Sequence, residues 1–267
     1  MNLGVAMEKQ KKIGSYLSAV ALVAASLLSS AANAQNDRHG MLIYTRNGKG
    51  YVHDNIAASV AAVTKLGTEA GLEVDVTADP EYFEPARLSR YAVLVFANTN
   101  NEAFLTDQQR DAFKGYIEHG GGFVGLHSAS GSERTWPYFA SVLGGRFVEH
   151  PPQQILTVDV LDHVSPFTKD LPAHLQHKDE CYFFTLMNPD VHPLLGVRKS
   201  TLVNTEKMKL DLNSYPEMLP VAWYHTFDGG REFYLALGHN KEDYEDPIIL
   251  NLIRRGIKWA SGAEEMR

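Results

Sequence analysis

The sequence predicts an α/β fold: a doubly wound, mostly parallel sheet that ends in an antiparallel hairpin and a closing helix. Three observations carry that prediction. Short apolar runs alternate with stretches of helical periodicity, which implies right-handed βαβ units. One run, Tyr91–Phe96, is apolar throughout, as central parallel strands are. Towards the end, Asp228-Gly-Gly230 separates two strand-like runs, and an amphipathic segment follows.

The first segment stands apart from this pattern. Lys9, Lys11 and Lys12 precede an apolar run from about Tyr16 to Leu28, and Ala32-Asn-Ala34 supplies an A-x-A cleavage signal. This is the form of a secretory signal peptide over residues 1–34. The run falls short of the roughly 20 strongly apolar residues of a membrane span, and serines and alanines dilute it. Cleavage after Ala34 leaves one domain, residues 35–267, in the periplasm or secreted, with no membrane attachment.

Within that domain, Met41–Thr45 reads as a buried strand. Ile56, Val60, Val63 and Leu66 then share one helical face, with Gly71 as C-terminal stop. Leu72–Val76 alternates as a second strand, and Tyr91–Phe96 is the third. Thr106 and Gln109 form a capping box for a helix that turns Ala112, Phe113, Tyr116 and Ile117 inward. Gly120-Gly-Gly122 ends that helix before a fourth strand, Phe123–Leu126. Gln154–Val160 is strand-like within a Pro- and His-rich middle. Pro220–His225 and Arg231–Leu237 pair as the hairpin. Pro247 opens a last helix to Ala260 that buries Ile249, Leu252, Ile253, Ile257 and Trp259.

Composition narrows the function. Of 267 residues 44% are hydrophobic and 21% charged, which excludes a disordered chain. Acids outnumber bases 32 to 25, so the surface lacks the positive charge of a sequence-independent nucleic-acid binder. One cysteine stands against 11 histidines. That excludes an intramolecular disulfide and a Cys-based zinc cluster. Cys181, beside Tyr182 and Phe183, reads as a core thiol.

In an open α/β sheet the ligand crevice lies beyond the carboxyl ends of the strands. His53 lies in the loop after the first strand, and Asn98, Thr99 and Asn100 follow the third. His127 follows the fourth, and His239 follows the hairpin. Three histidines at comparable positions point to a shared site. Gly120–Ser130 has the shape of a nucleophile elbow with His127 at its apex. Imidazole there suits a general base or a metal ligand rather than an acyl acceptor, which disfavours covalent acyl transfer. His150 before Pro151-Pro152 reads equally as a crevice residue or a loop histidine. Of Asp179 and Glu180, neighbours in an extended segment, one faces the site. His163, His174, His177, His192 and His225 read as structural or solvated. Asp243, Glu245 and Asp246 read as caps of the last helix. Trp136, Tyr138 and Trp223 are candidates to stack on a sugar ring, with core packing favoured for Trp223.

Several short motifs recur in a fixed order: Gly120-Gly-Gly-Phe-Val-Gly-Leu-His127, Trp136 to Gly145 leading to His150-Pro151, Asp179-Glu180, Pro220-Val-Ala-Trp223, Leu237-Gly-His239, Asp246-Pro247 and Arg254–Trp259. In that order the chain resembles the trehalose-utilisation (ThuA-like) family of the class I glutamine amidotransferase-like superfamily, from about Met41 to Gly262. The resemblance implies a flavodoxin-like fold that has lost the amidotransferase cysteine, so glutamine hydrolysis should be absent. It also implies a role in sugar utilisation, including 3-keto derivatives of disaccharides and glycosides. The chain departs from the family in one place, where Cys181 intervenes between the acidic pair and Tyr182.

These readings combine into an exported carbohydrate-metabolism protein. His53, His127, His239 and Glu180 are the candidate catalytic residues. Asn98, Thr99, Trp136 and His150 are the candidate substrate contacts. His53, His127 and His239 are the candidate ligands for zinc or another divalent metal, which fits a metal-assisted hydrolase or lyase. The alternative is a non-catalytic sugar-binding module on the same fold. The expected partner is a small carbohydrate rather than nucleic acid, and homo-oligomer formation is left open.

Overall fold

The computed structural model describes residues 38–263; the expected signal peptide lies outside the described residues. Three βα steps and a fourth strand build the first half. They run β1 (Gly40–Tyr44), α1 (Ile56–Glu69), β2 (Glu73–Thr77), α2 (Pro85–Leu88), β3 (Tyr91–Ala97), α3 (Asp107–Glu118) and β4 (Gly122–Leu126). The second half holds α4 (Pro137–Leu143), β5 (Arg146–Glu149), β6 (Gln154–Val160), β7 (His174–Asp179), β8 (Phe183–Thr185) and β9 (His192–Arg198). The hairpin β10 (Met218–Phe227) and β11 (Gly230–Leu235) and the helix α5 (Pro247–Ala260) follow.

Nine strands form one sheet in the order β2-β1-β3-β4-β11-β10-β9-β6-β7. The first five are parallel, in the flavodoxin-like order in which the chain reverses direction beside β1. Strands β10, β9, β6 and β7 extend this sheet antiparallel, and β5 pairs with β8 separately. The antiparallel wing is wider than a hairpin alone. Three apolar strands are buried at every residue, β1, β3 and β4, because parallel strands are covered on both faces.

Local chemistry sets the element ends. Thr106 caps α3 in a reciprocal box with Gln109, and Ala112, Phe113, Tyr116 and Ile117 face inward. Asp246 accepts from the Ile248 and Ile249 amides at the start of α5, which supports its capping role; such a cap is worth about 1 kcal/mol. Asp228 and Gly229 both have positive φ, 52° and 100°, the requirement of a tight hairpin turn. Two inward faces differ from the sequence reading. On α1 the buried residues are Ser59, Val63, Leu66 and Gly67, while Ile56 and Val60 are half-buried. A Cβ on Gly67 would strike the Met41 side chain, so close helix–sheet packing selects glycine there. Trp259 is half-buried, edge-on to Tyr224 and under Arg231, and so flanks the core rather than filling it.

Beneath α3 and α4, Phe83, Phe96, Phe104, Phe113, Phe123 and Phe139 pack together, with neighbouring ring centroids as close as 4.7 Å. Burying each such ring contributes about 1.5–3 kcal/mol. This core fixes the carboxyl ends of β1, β3, β4 and β11 against one another. The loops that leave those ends carry the polar cluster described next.

Candidate functional site

His127 leaves β4 with φ +46°, a left-handed backbone that costs a residue with a Cβ on the order of 1–3 kcal/mol. The Tyr234 hydroxyl donates to the His127 carbonyl at 2.6 Å and also contacts the Ser130 hydroxyl at 2.8 Å, which holds the turn. The imidazole is oriented from behind. Its Nδ1 lies 2.7 Å from the Ala236 carbonyl oxygen. A carbonyl only accepts, so Nδ1 carries the proton and Nε2 presents its lone pair to the side chains around it.

Three other potential metal ligands meet that Nε2. The loop after β1 delivers His53, whose Nε2 lies 3.2 Å away. The segment after β11 brings His239 Nδ1 to 3.4 Å. Beyond β7, Glu180 Oε2 stands 3.8 Å from His127 Nε2 and 3.3 Å from His239 Nδ1. Ligand atoms about 2.0–2.1 Å from a tetrahedral ion stand about 3.3–3.4 Å apart. The observed separations therefore fit one small divalent cation, and all four atoms lie within 4.8 Å of one another. The donor set, three imidazoles and a carboxylate, suits zinc and its neighbours. Behind His127 the supporting hydrogen bond is in place, whereas His53 Nδ1 has no hydrogen-bond partner among the described residues.

The electrostatics favour the ligating forms of His53, His127 and Glu180. Burial, then the fields of His127 and His239, push His53 down to about 3. Burial also lowers His127, against the opposing pull of Asp179. Burial alone would raise the Glu180 carboxyl, but the His239 hydrogen bond and the fields of His150 and His127 bring it below its ordinary value. The Glu180 hydrogen bond raises His239. At neutral pH His53 and His127 are thus uncharged and Glu180 is a carboxylate.

His53, His239 and Glu180 line a cavity of about 370 Å³, with His127 fully buried behind them. His150 also lines it, with Nε2 3.5 Å from Glu180 Oε2. Three expected substrate contacts do not line it. Asn98 has φ +57°, which turns its side chain back to donate to the Tyr244 hydroxyl at 2.8 Å. Thr99 is tied to Ser132, and Trp136 packs on Phe104, Phe113 and Phe139. Tyr138 donates to Asp228, and Trp223 is a core residue against Phe184 and Tyr234. The cavity wall is instead Tyr51, Asn100, Arg134, Phe147 and Tyr182. The Tyr182 hydroxyl donates to His127 Nε2 at 2.8 Å. One signal for Tyr182 was present in the sequence, because alternate residues of an extended segment share a face and Glu180 is two positions earlier.

The remaining residues are structural. Cys181 is fully buried and its thiol is pushed up to about 12 by burial, so it carries no thiolate at neutral pH. His177 Nε2 sits 3.4 Å from both Asp179 and Asp243, behind the cluster. His174 pairs with Asp159, His192 with Asp162, and His225 contacts the Ser141 carbonyl.

The sequence matches the profile of the family described as ThuA, trehalose utilisation, over residues 40–260. No match emerges among curated proteins. Among solved structures, a ThuA-like protein from Bacteroides uniformis is 25% identical, with a TM-score of 0.65 over 84% of this chain and 91% of its own. A ThuA-like protein from Parabacteroides merdae is 19% identical, with a TM-score of 0.64 over 85% of this chain and 91% of its own. A cytoplasmic protein from Salmonella typhimurium LT2, 10% identical, shares the fold at a TM-score of 0.57 over 83% of this chain and 99% of its own. With the profile spanning most of its length, the chain belongs to the trehalose-utilisation (ThuA) family.

Proposed function

We propose that the protein is an exported enzyme of carbohydrate metabolism that acts on a sugar or 3-keto-glycoside at a divalent-metal centre held by His53, His127, His239 and Glu180. The observation that carries this reading is the convergence of four potential ligand atoms, all within 4.8 Å of one another, beside the cavity. A divalent ion that kept a further coordination position open beside these groups would polarise a carbonyl or activate water. The chain's own groups then have distinct roles. Glu180 balances charge, and His150 stands beside it as a proton acceptor. Tyr182, kept a neutral phenol by burial, donates to the His127 Nε2 lone pair that an ion would take, so a bound ion would free its hydroxyl to donate to substrate. Glutamine hydrolysis has no support, because the elbow apex is an imidazole and the lone thiol is buried. Export rests on the basic, apolar and A-x-A pattern of residues 1–34.

The test is turnover of 3-keto-glycosides after chelation and after metal add-back. Activity should vanish and return, and His127→Ala should abolish it. Turnover that survives His127→Ala overturns the assignment. The aromatic wall of Tyr51, Phe147 and Tyr182 favours a second reading, a non-catalytic sugar-binding module. That reading is supported if calorimetry shows sugar affinity that persists without His53, His127 and His239, with no turnover in the unaltered protein.

A further inference from the structure

Arg134 is a cavity-wall residue that neither the metal cluster nor the fold accounts for. It is the one arginine or lysine among the residues that line the cavity, and Glu180 is the one carboxylate. Glu180 is engaged by His239 and His150 and leaves Arg134 without a counter-charge. The side chain is solvent-exposed at the cavity wall, but its guanidinium is held in place. Its Nε donates to the Gly131 carbonyl at 3.0 Å, and one Nη2 hydrogen reaches Asn100 Oδ1 at 3.4 Å. Asn100 is itself fixed, since its Oδ1 accepts from the Asn101 amide at 3.0 Å. Phe147 lies under the guanidinium, 5.3 Å from carbon to ring centroid. Nη1 has no hydrogen-bond acceptor and the side chain no ion pair among the described residues, whereas Arg110 and Arg255 each hold a carboxylate. Burial and the nearby Arg146 both disfavour the charge.

A fixed, partly desolvated guanidinium with free N–H groups is a recognition element for a planar anion, which it can bind in a fork. We propose that Arg134 is the anion-binding residue of this cavity, and that the sugar derivative it takes carries a carboxylate. This rests on the sugar reading above. One guanidinium suits the single charge of a carboxylate. The cavity volume of about 370 Å³ is that of a small-ligand site. A divalent cation held by the neighbouring cluster would add further positive charge beside the same cavity.

The test compares methyl β-glucuronide with methyl β-glucoside by calorimetry on the purified, metal-loaded protein. The two probes share a ring and differ at one carboxylate. The glucuronide should bind about tenfold tighter or better, the range of a charge-assisted bond. Arg134→Gln should erase that preference and leave glucoside affinity as it was, and Arg134→Lys should retain part of it. Equal affinities in the unaltered protein overturn the proposal without a variant. A preference that survives Arg134→Gln places the carboxylate on the metal cluster and also overturns it. Equal weakening of both probes in Arg134→Gln means a hydroxyl contact and overturns it too. Binding of neither probe removes the sugar reading along with this one, whereas glucoside binding alone removes only the carboxylate.

Discussion

Asp179 Oδ2 accepts a 2.7 Å hydrogen bond from the backbone amide of Gly238, so the acid that turns away from the cavity holds the loop that carries His239. The same oxygen lies 3.3 Å from the His239 amide, and Oδ1 accepts from the Glu180 amide at 2.7 Å. One buried carboxylate therefore positions two of the four proposed ligands. Its neighbours His177 and Asp243 complete a charged layer behind the site.

Asp179→Asn keeps the shape but sets an amide NH₂ against a backbone N–H. Supporting groups of this kind are worth about 10- to 100-fold in metal affinity. Zinc titration of the variant should show that loss with near-UV circular dichroism unchanged. Full affinity would remove Asp179 from the site's support.

Tyr51 and Trp136 should separate in sugar binding. Tyr51 is 64% exposed at the cavity mouth, whereas Trp136 is packed on phenylalanines. Tyr51→Ala should weaken binding by about 0.5–1.5 kcal/mol, the worth of an aromatic contact. Trp136→Ala should lower stability and leave affinity intact. A loss of affinity confined to Trp136→Ala contradicts the placement of the cavity.

Glu232 predicts a pH effect on stability. It is 1% exposed, and neither carboxylate oxygen has a hydrogen-bond partner among the described residues. Burial pushes its carboxyl well above the ordinary value. The folded protein keeps the proton where the unfolded chain has lost it. Its stability is therefore full below the unfolded value of about 4.3 and declines as pH rises above it. Glu232→Met should raise stability at pH 8 by about 1–3 kcal/mol and by much less at pH 4. Equal gains in urea denaturation at both pH values would contradict the buried-acid account.

Much of the fold was legible in the sequence because its signals are local. The apolar run Tyr91–Phe96, the Thr106–Gln109 box and the Asp228-Gly229 turn each encode their own geometry. In the antiparallel wing, β6 was legible over Gln154–Val160, but β7 and β9 were not. Strand β7 is His-Leu-Gln-His-Lys-Asp at the sheet edge, and β9 contains Pro193, so neither shows a clean apolar period. At the site, His53, His127 and His239 were found because each directly follows a strand or its loop. Asn98 misled because its positive φ, invisible in sequence, points it inward and leaves Asn100 to reach the cavity. Arg134 lies past a short turn whose path only the packed chain defines.

The most direct test of the central claim is elemental analysis with zinc titration of the purified protein and its His127→Ala and His239→Ala variants. The account predicts one divalent ion per chain in the unaltered protein, with tight binding lost in each variant. No bound ion, or the same stoichiometry and affinity in all three, would contradict it.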